Sequence, residues 1–201
     1  MTRRPYEDTR PGRRLFVAVP IPAAAREAIT GLVEGVRAAA NPAARDVRWV
    51  RLDGLHLTLR FLGPTAEEAV AGIAAAVERT AARLHPFDVV IGGGGAFPSA
   101  ERPRAIWLGI DDGSAELSSA ATALDDELAE LGFERPDRPF RAHLTLARSD
   151  GVRAGPAVAR RLIEAARTVR QPFRAEALVL FESHTGGGRS RYVPLHEVAL
   201  A

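Results

Sequence analysis

Neither cysteine nor lysine occurs in this chain of 201 residues, and all 27 of its basic residues are arginine. The first absence excludes a thiol nucleophile, a thiolate metal site and any disulfide, and it leaves the redox compartment unread from that side. The second removes the lysine of a Walker-type phosphate loop, Schiff-base chemistry and the lysyl-nucleotide intermediate of an ATP-dependent ligase. Phosphate chemistry in this chain must therefore use histidine, arginine and hydroxyl groups. A guanidinium suits that task because its planar donors match phosphate oxygens and its charge persists at any physiological pH. Base composition alone would also give an all-arginine complement. Long apolar runs are absent too: charge interrupts every hydrophobic stretch, and the amino terminus is arginine-rich without the apolar segment of a secretory signal. These features lead us to expect a cytoplasmic protein with no membrane partner.

What remains is the composition of an ordinary globular protein, 46% hydrophobic and 26% charged with a net charge of +2. That length can bury a core without a metal or disulfide to staple it. Residues 1–14 carry charge, proline and glycine with no apolar period and are expected to be a flexible tail. Beyond them, RLFVAVPIP reads as a buried strand and residues 23–40 as an amphipathic helix stopped by Asn41 and Pro42. A short strand at 47–50 precedes LHLTLRFLG, a second strand expected to close at Gly63 and Pro64. Thr65 then caps a helix to about Arg83, and a strand at 87–91 ends in a GGGG turn.

The second half follows the same order. RAIWLGI reads as a strand, 114–132 as a helix, FRAHLTLAR as a strand, 156–168 as a helix and FRAEALVLFESH as a strand. A GGG turn leads to a final strand, RSRYVPLHEVAL. The tetrapeptide HLTL thus occurs at 56–59 and again at 143–146, each time one strand and one helix into its half. This is an internal duplication, with approximate halves 15–103 and 104–201, inside one two-lobed domain. The expected class is α+β, with two pseudo-symmetric lobes of antiparallel or mixed sheet, helices outside and a cleft between the sheets.

In a strand, residues two apart share a face. His56 and Thr58 then point one way while Leu57 and Leu59 anchor the strand in the core, and His143 and Thr145 stand likewise against Leu144 and Leu146. One such motif is weak, since a lone strand histidine is usually structural. Two, at matching places, describe a cleft with an imidazole and a hydroxyl on each wall. Opening a cyclic phosphodiester with water is an in-line displacement, which needs a base on one side of phosphorus and an acid on the other. Imidazole can be either near neutrality. Thr58 and Thr145 can each donate one hydrogen bond to a non-bridging oxygen. No metal or other cofactor is required. Neither motif contains Asp or Glu, and the His spacing of a metal site is missing, which disfavours a two-metal nuclease. His85, His184 and His196 lack this context and are expected to be structural or exposed, with only His184 near the cleft rim. The glycine runs lack the fingerprint of phosphate or dinucleotide loops.

The segments RLFVAV, VRWVRLDGLHLTLRFLG, RPRAIWLGI, RPFRAHLTLAR and GGGRSRYVPL, in order from about Leu15 to Leu200, resemble successive blocks of bacterial RNA 2',3'-cyclic phosphodiesterases. These 2'-5' RNA ligase-like proteins belong to the two-histidine phosphoesterase superfamily. The resemblance implies His56 and His143 as the catalytic pair, with Thr58, Thr145 and Arg148 on the phosphate. It also implies hydrolysis of a terminal 2',3'-cyclic phosphate to a 2'-phosphate, with RNA or oligonucleotide ends as partner. We expect a monomer. Many relatives carry proline before the second histidine, where this chain has Ala142. Arg148 lies five residues after His143, the wrong parity for one strand face, so it must enter from a strand end or a bulge. Arg60 has the right parity for the cleft rim, and Phe61, the counterpart of Arg148, is expected in the core rather than as a base-stacking surface. Two other readings stay open: ATP-independent joining of RNA ends through a 2'-5' linkage by the same histidines, and a non-catalytic RNA-binding module in the same cleft.

Overall fold

The computed structural model describes residues 12–184 and 190–201. Along the chain it runs β1 (Arg13–Pro20), α1 (Ala23–Ala39), β2 (Arg48–Trp49), β3 (His56–Thr65), α2 (Val70–Ala81), β4 (Phe87–Phe97) and β5 (Ala105–Asp112). It continues through α3 (Ser114–Ala129), β6 (Leu144–Arg148), α4 (Gly155–Ala165), β7 (Arg170–Ala175), β8 (Ala177–His184) and β9 (Arg191–Ala199). The strands form two sheets, ordered β3-β1-β8-β9 and β2-β6-β5-β4-β7, in which every neighbouring pair is antiparallel. The α+β class with two antiparallel sheets is as the sequence led us to expect.

Each helix turns an apolar stripe to a sheet. In α1 it is Ala25, Ile29, Val33 and Val36, and in α3 it is Leu117, Ala120, Ala121, Leu124 and Leu128, all at helical spacing and buried. Helices α2 and α3 cover the first sheet, and α1 and α4 cover the second. The two sequence halves do not each build one lobe. β1 and β3 lie in the first sheet, yet α1 between them packs on the second, and β4 of the same half pairs there with β5. The second half mirrors this: β5 and β6 lie in the second sheet, α3 packs against β3, and β8 joins β1 in the first. Each half thus lends two strands and a helix to the other, β2 and β4 with α1 in one direction and β8 and β9 with α3 in the other.

Five local expectations differ from the structure. Arg13 and Arg14 belong to β1 rather than to the tail, with Arg13 held to Glu67 at 3.0 Å and to Glu182 at 2.7 Å. β3 continues through Gly63 and Pro64 to Thr65. As an edge strand it tolerates the missing proline N–H. The Thr65 hydroxyl donates to the Gly63 carbonyl at 3.1 Å instead of capping a helix, and α2 is entered through a 3-10 turn at Glu67–Ala69. Residues 173–184 break into two strands, β7 and β8, that lie in different sheets. Finally, GGGG is not a turn but part of β4. Gly93, at φ +62°, is the extra residue of a bulge, and a side chain at Gly95 would run into the Trp107 ring. Residues 1–11 of the expected tail and the GGG turn at 186–188 lie outside the described residues.

Candidate active site

His56, Thr58, His143, Thr145 and Arg148 line one cleft of about 510 Å³ between the two sheets. Their strands are anchored from behind. Leu57, Leu59, Leu144 and Leu146 are all buried, so each HLTL segment holds its polar residues toward the cleft by sinking its leucines in the core. His143 itself precedes β6 by one residue, but the alternation carries through it.

A bulge settles the parity of Arg148. Trp107 pairs with Thr145 and Ile106 with Ala147, leaving Leu146 as an extra residue in β6. Leu146 and Ala147 are both buried, and Arg148 returns to the face of His143. The first motif repeats the device: Ala18 pairs with Thr58 and Val17 with Arg60, so Leu59 is extra in β3. Its effect on the neighbours is opposite to simple alternation. Arg60 is turned out of the cleft, with its Nη1 3.3 Å from Asp125 and a hydrogen bond to the Glu134 carbonyl. Phe61 is turned in. It is 51% exposed, lines the cleft and stacks on Phe16 with centroids 5.5 Å apart, so the core placement expected for it is wrong.

The two imidazoles are oriented alike. His56 Nδ1 lies 2.8 Å from the Gly54 carbonyl oxygen and His143 Nδ1 lies 2.7 Å from that of Arg141, each acceptor two residues upstream. A carbonyl only accepts, so each Nδ1 carries the proton and donates it. Each Nε2 is left to take or give a proton. Both rings sit among aromatics: His56 is 4.7 Å from Phe16 and 4.9 Å from Tyr192, and His143 is 5.1 Å from Phe97 and 6.2 Å from Trp107. Burial pushes both imidazoles below their ordinary value of 6.5. The bonds to Gly54 and Arg141 oppose that, while the charges of Arg148 and Arg141 depress His143 further. The hydroxyls of Thr58 and Thr145 make no hydrogen bond to another described residue, which leaves them free for a ligand.

Sequence reasoning passed over Arg14, Arg48, Ser183, Ser190 and Tyr192, which also line the cleft. Tyr192 pairs with Ser183 across β8 and β9, and the alternation in RSRYVPLHEV was the available signal. None of the remaining histidines lines it. His85 Nδ1 is 2.9 Å from the Ala201 carbonyl, His196 Nε2 is 2.8 Å from Glu78, and His184 Nε2 is 3.3 Å from Glu182. No described lining residue is Asp or Glu. No helix among the described residues is long and apolar enough to cross a membrane.

Comparison with known proteins agrees with this geometry. A family model described as the 2'-5' RNA ligase superfamily matches residues 20–187. An RNA 2',3'-cyclic phosphodiesterase of Escherichia coli is 31% identical over 193 residues, 94% of this chain and 97% of its own length. One from Archaeoglobus fulgidus is 35% identical over 135 residues, 67% of this chain and 72% of the relative. Among solved structures, E. coli LigT complexed with 3'-AMP superposes with a TM-score of 0.71 at 29% identity, covering 94% of this chain and 98% of that one.

Proposed function

The chain belongs to the 2'-5' RNA ligase superfamily, and from that premise we propose that it is an RNA 2',3'-cyclic phosphodiesterase. It opens a terminal 2',3'-cyclic phosphate to a 2'-phosphate with His56 and His143 as the acid-base pair. The observation that carries this reading is the matched orientation of the two imidazoles, each with Nδ1 tied to a carbonyl and Nε2 left for the same cleft. One neutral Nε2 takes a proton from water as the water oxygen bonds to phosphorus. The other, protonated, gives its proton to the departing ribose 3' oxygen as that P–O bond breaks. Thr58 and Thr145 donate to the non-bridging oxygens, and Arg148 balances the charge gathered there. Every proton is accounted for within the chain and one water.

The test is incubation of the purified protein, with chelator present, with an RNA ending in a 2',3'-cyclic phosphate. A 2'-phosphate product is expected. His56→Ala and His143→Ala should each lower kcat by roughly 10²-fold or more. The double variant should lose little beyond either single one, because both act on one displacement. Thr58→Ala and Thr145→Ala should cost less. A His143→Ala protein that works at the parent rate would end the mechanism.

A further inference from the structure

The cleft holds more positive charge than one cyclic phosphate requires. Arg14, Arg48 and Arg148 all line it, and the side chain of none makes an ion pair or hydrogen bond with another described residue. Elsewhere arginines are commonly paired: Arg13 meets Glu67 and Glu182, and Arg79 and Arg83 share Glu127. The cleft departs from that pattern most sharply at β2. There Arg48 stands directly opposite Arg148 in the antiparallel ladder. Side chains so placed share a face with Cβ atoms roughly 4.5–5.5 Å apart, and like charges in that relation are destabilising.

The fold nevertheless holds Arg48 in place. Trp49, its neighbour in β2, is buried and donates from Nε1 to the Ala44 carbonyl at 3.0 Å, and Val50 N donates to the Leu146 carbonyl at 2.9 Å. Two arginines thus stand opposite each other on one face of the ladder, and no described residue lining the cleft is a carboxylate. A terminal cyclic phosphate carries a single negative charge, which Arg148 with the two threonines can match. An RNA strand brings a second charge close behind the first, at the phosphodiester on the 5' side of the terminal nucleotide.

We propose that Arg48 is the subsite for that phosphodiester, so that the cleft selects oligonucleotide ends over free nucleoside 2',3'-cyclic phosphates. This rests on the hydrolytic reading above. The like-charge pair is then a cost to the free protein that the second phosphate relieves on binding, consistent with the local conflicts found at functional sites.

The experiment compares a nucleoside 2',3'-cyclic phosphate with a dinucleotide ending in the same base and cyclic phosphate. The parent should prefer the dinucleotide in kcat/KM. Arg48→Ala should shrink that preference by roughly 10-fold, mainly through KM, since one charge-assisted contact is lost. Arg48→Lys should keep part of it, and Arg148→Ala should lower both substrates alike. The preference should also fade with added salt. A loss in Arg48→Ala that is equal for both substrates, or a preference left intact, overturns the proposal. So does a fall of several degrees in its Tm, because relieving a like-charge pair should not weaken the fold. The same comparison by calorimetry, with a dinucleotide ending in 2'-phosphate against a nucleoside 2'-phosphate, reads the subsite without turnover. A protein that binds with the predicted preference but hydrolyses neither substrate would sink the hydrolytic reading and leave the subsite standing.

Discussion

An imidazole packed against aromatic rings pays for its charge in lost solvation, and both His56 and His143 are displaced downward for that reason. On the proposed mechanism the acid histidine must be protonated in the free protein, so the alkaline limb of kcat/KM against pH should begin below 6.5. A bound phosphate offsets Arg148 and favours the charged imidazoles, so the limb in kcat should lie at higher pH than the limb in kcat/KM. Profiles measured on one substrate decide this, and an alkaline limb of kcat/KM above pH 7 would contradict it. The same displacement bears on stability. Unfolded imidazole titrates near 6.5 and the folded rings lower, so this contribution is complete above 6.5 and is lost as pH falls from there through the folded values. His56, Thr58, His143 and Thr145 were legible because a tetrapeptide repeated, and Arg148 because a family motif ended on it. Arg48 and Tyr192 were not, since sheet pairing, rather than sequence spacing, brings them to the cleft.

At the scale of elements, the two bulges do most to shape the site. Alternation counted from His56 puts Arg60 at the cleft rim and Phe61 in the core, and one extra residue at Leu59 reverses both. A bulge leaves little trace in a hydrophobic pattern, which is why the strands could be read and these side chains could not. Arg60 consequently belongs to the packing of β3 on α3, where burial raises the Asp125 carboxyl and the Arg60 charge opposes that rise. Arg60→Ala should leave Asp125 half-buried without its nearest cation and cost about 1–3 kcal/mol in denaturant unfolding. Asp125→Asn in that background should recover part of the loss. An Arg60→Ala protein as stable as the parent would show that the pair contributes nothing. The GGGG segment carries a similar lesson. Glycine suggests a turn, but here a ring lies over Gly95, a tertiary demand that no local pattern announces.

For the whole molecule, the exchange of β2 and β4 for β8 and β9, and of α1 for α3, ties the halves together. The repeated HLTL tetrapeptide was plain in the sequence, but which sheet each strand joins was not, because the two HLTL segments have the same hydrophobic pattern. Residues 12–103 or 104–201 expressed alone would each lack the two strands and the helix that complete a sheet. Neither should give a cooperative thermal transition by circular dichroism, whereas the full chain should unfold in one step with coincident circular dichroism and tryptophan fluorescence. A half that folds alone would refute this. The same near-equivalence of halves gives both walls of the cleft the same pair of groups, an imidazole and a hydroxyl. At the matched bulges the walls differ, with Phe61 presented on one side and Arg148 on the other. On the proposed mechanism, that difference would give the bound ring a front and a back and so bear on which ribose oxygen departs. Phe61→Arg, which makes the walls alike, should erode that regiochemistry, and phosphorus NMR of the products should then find 3'-phosphate beside the 2'-phosphate.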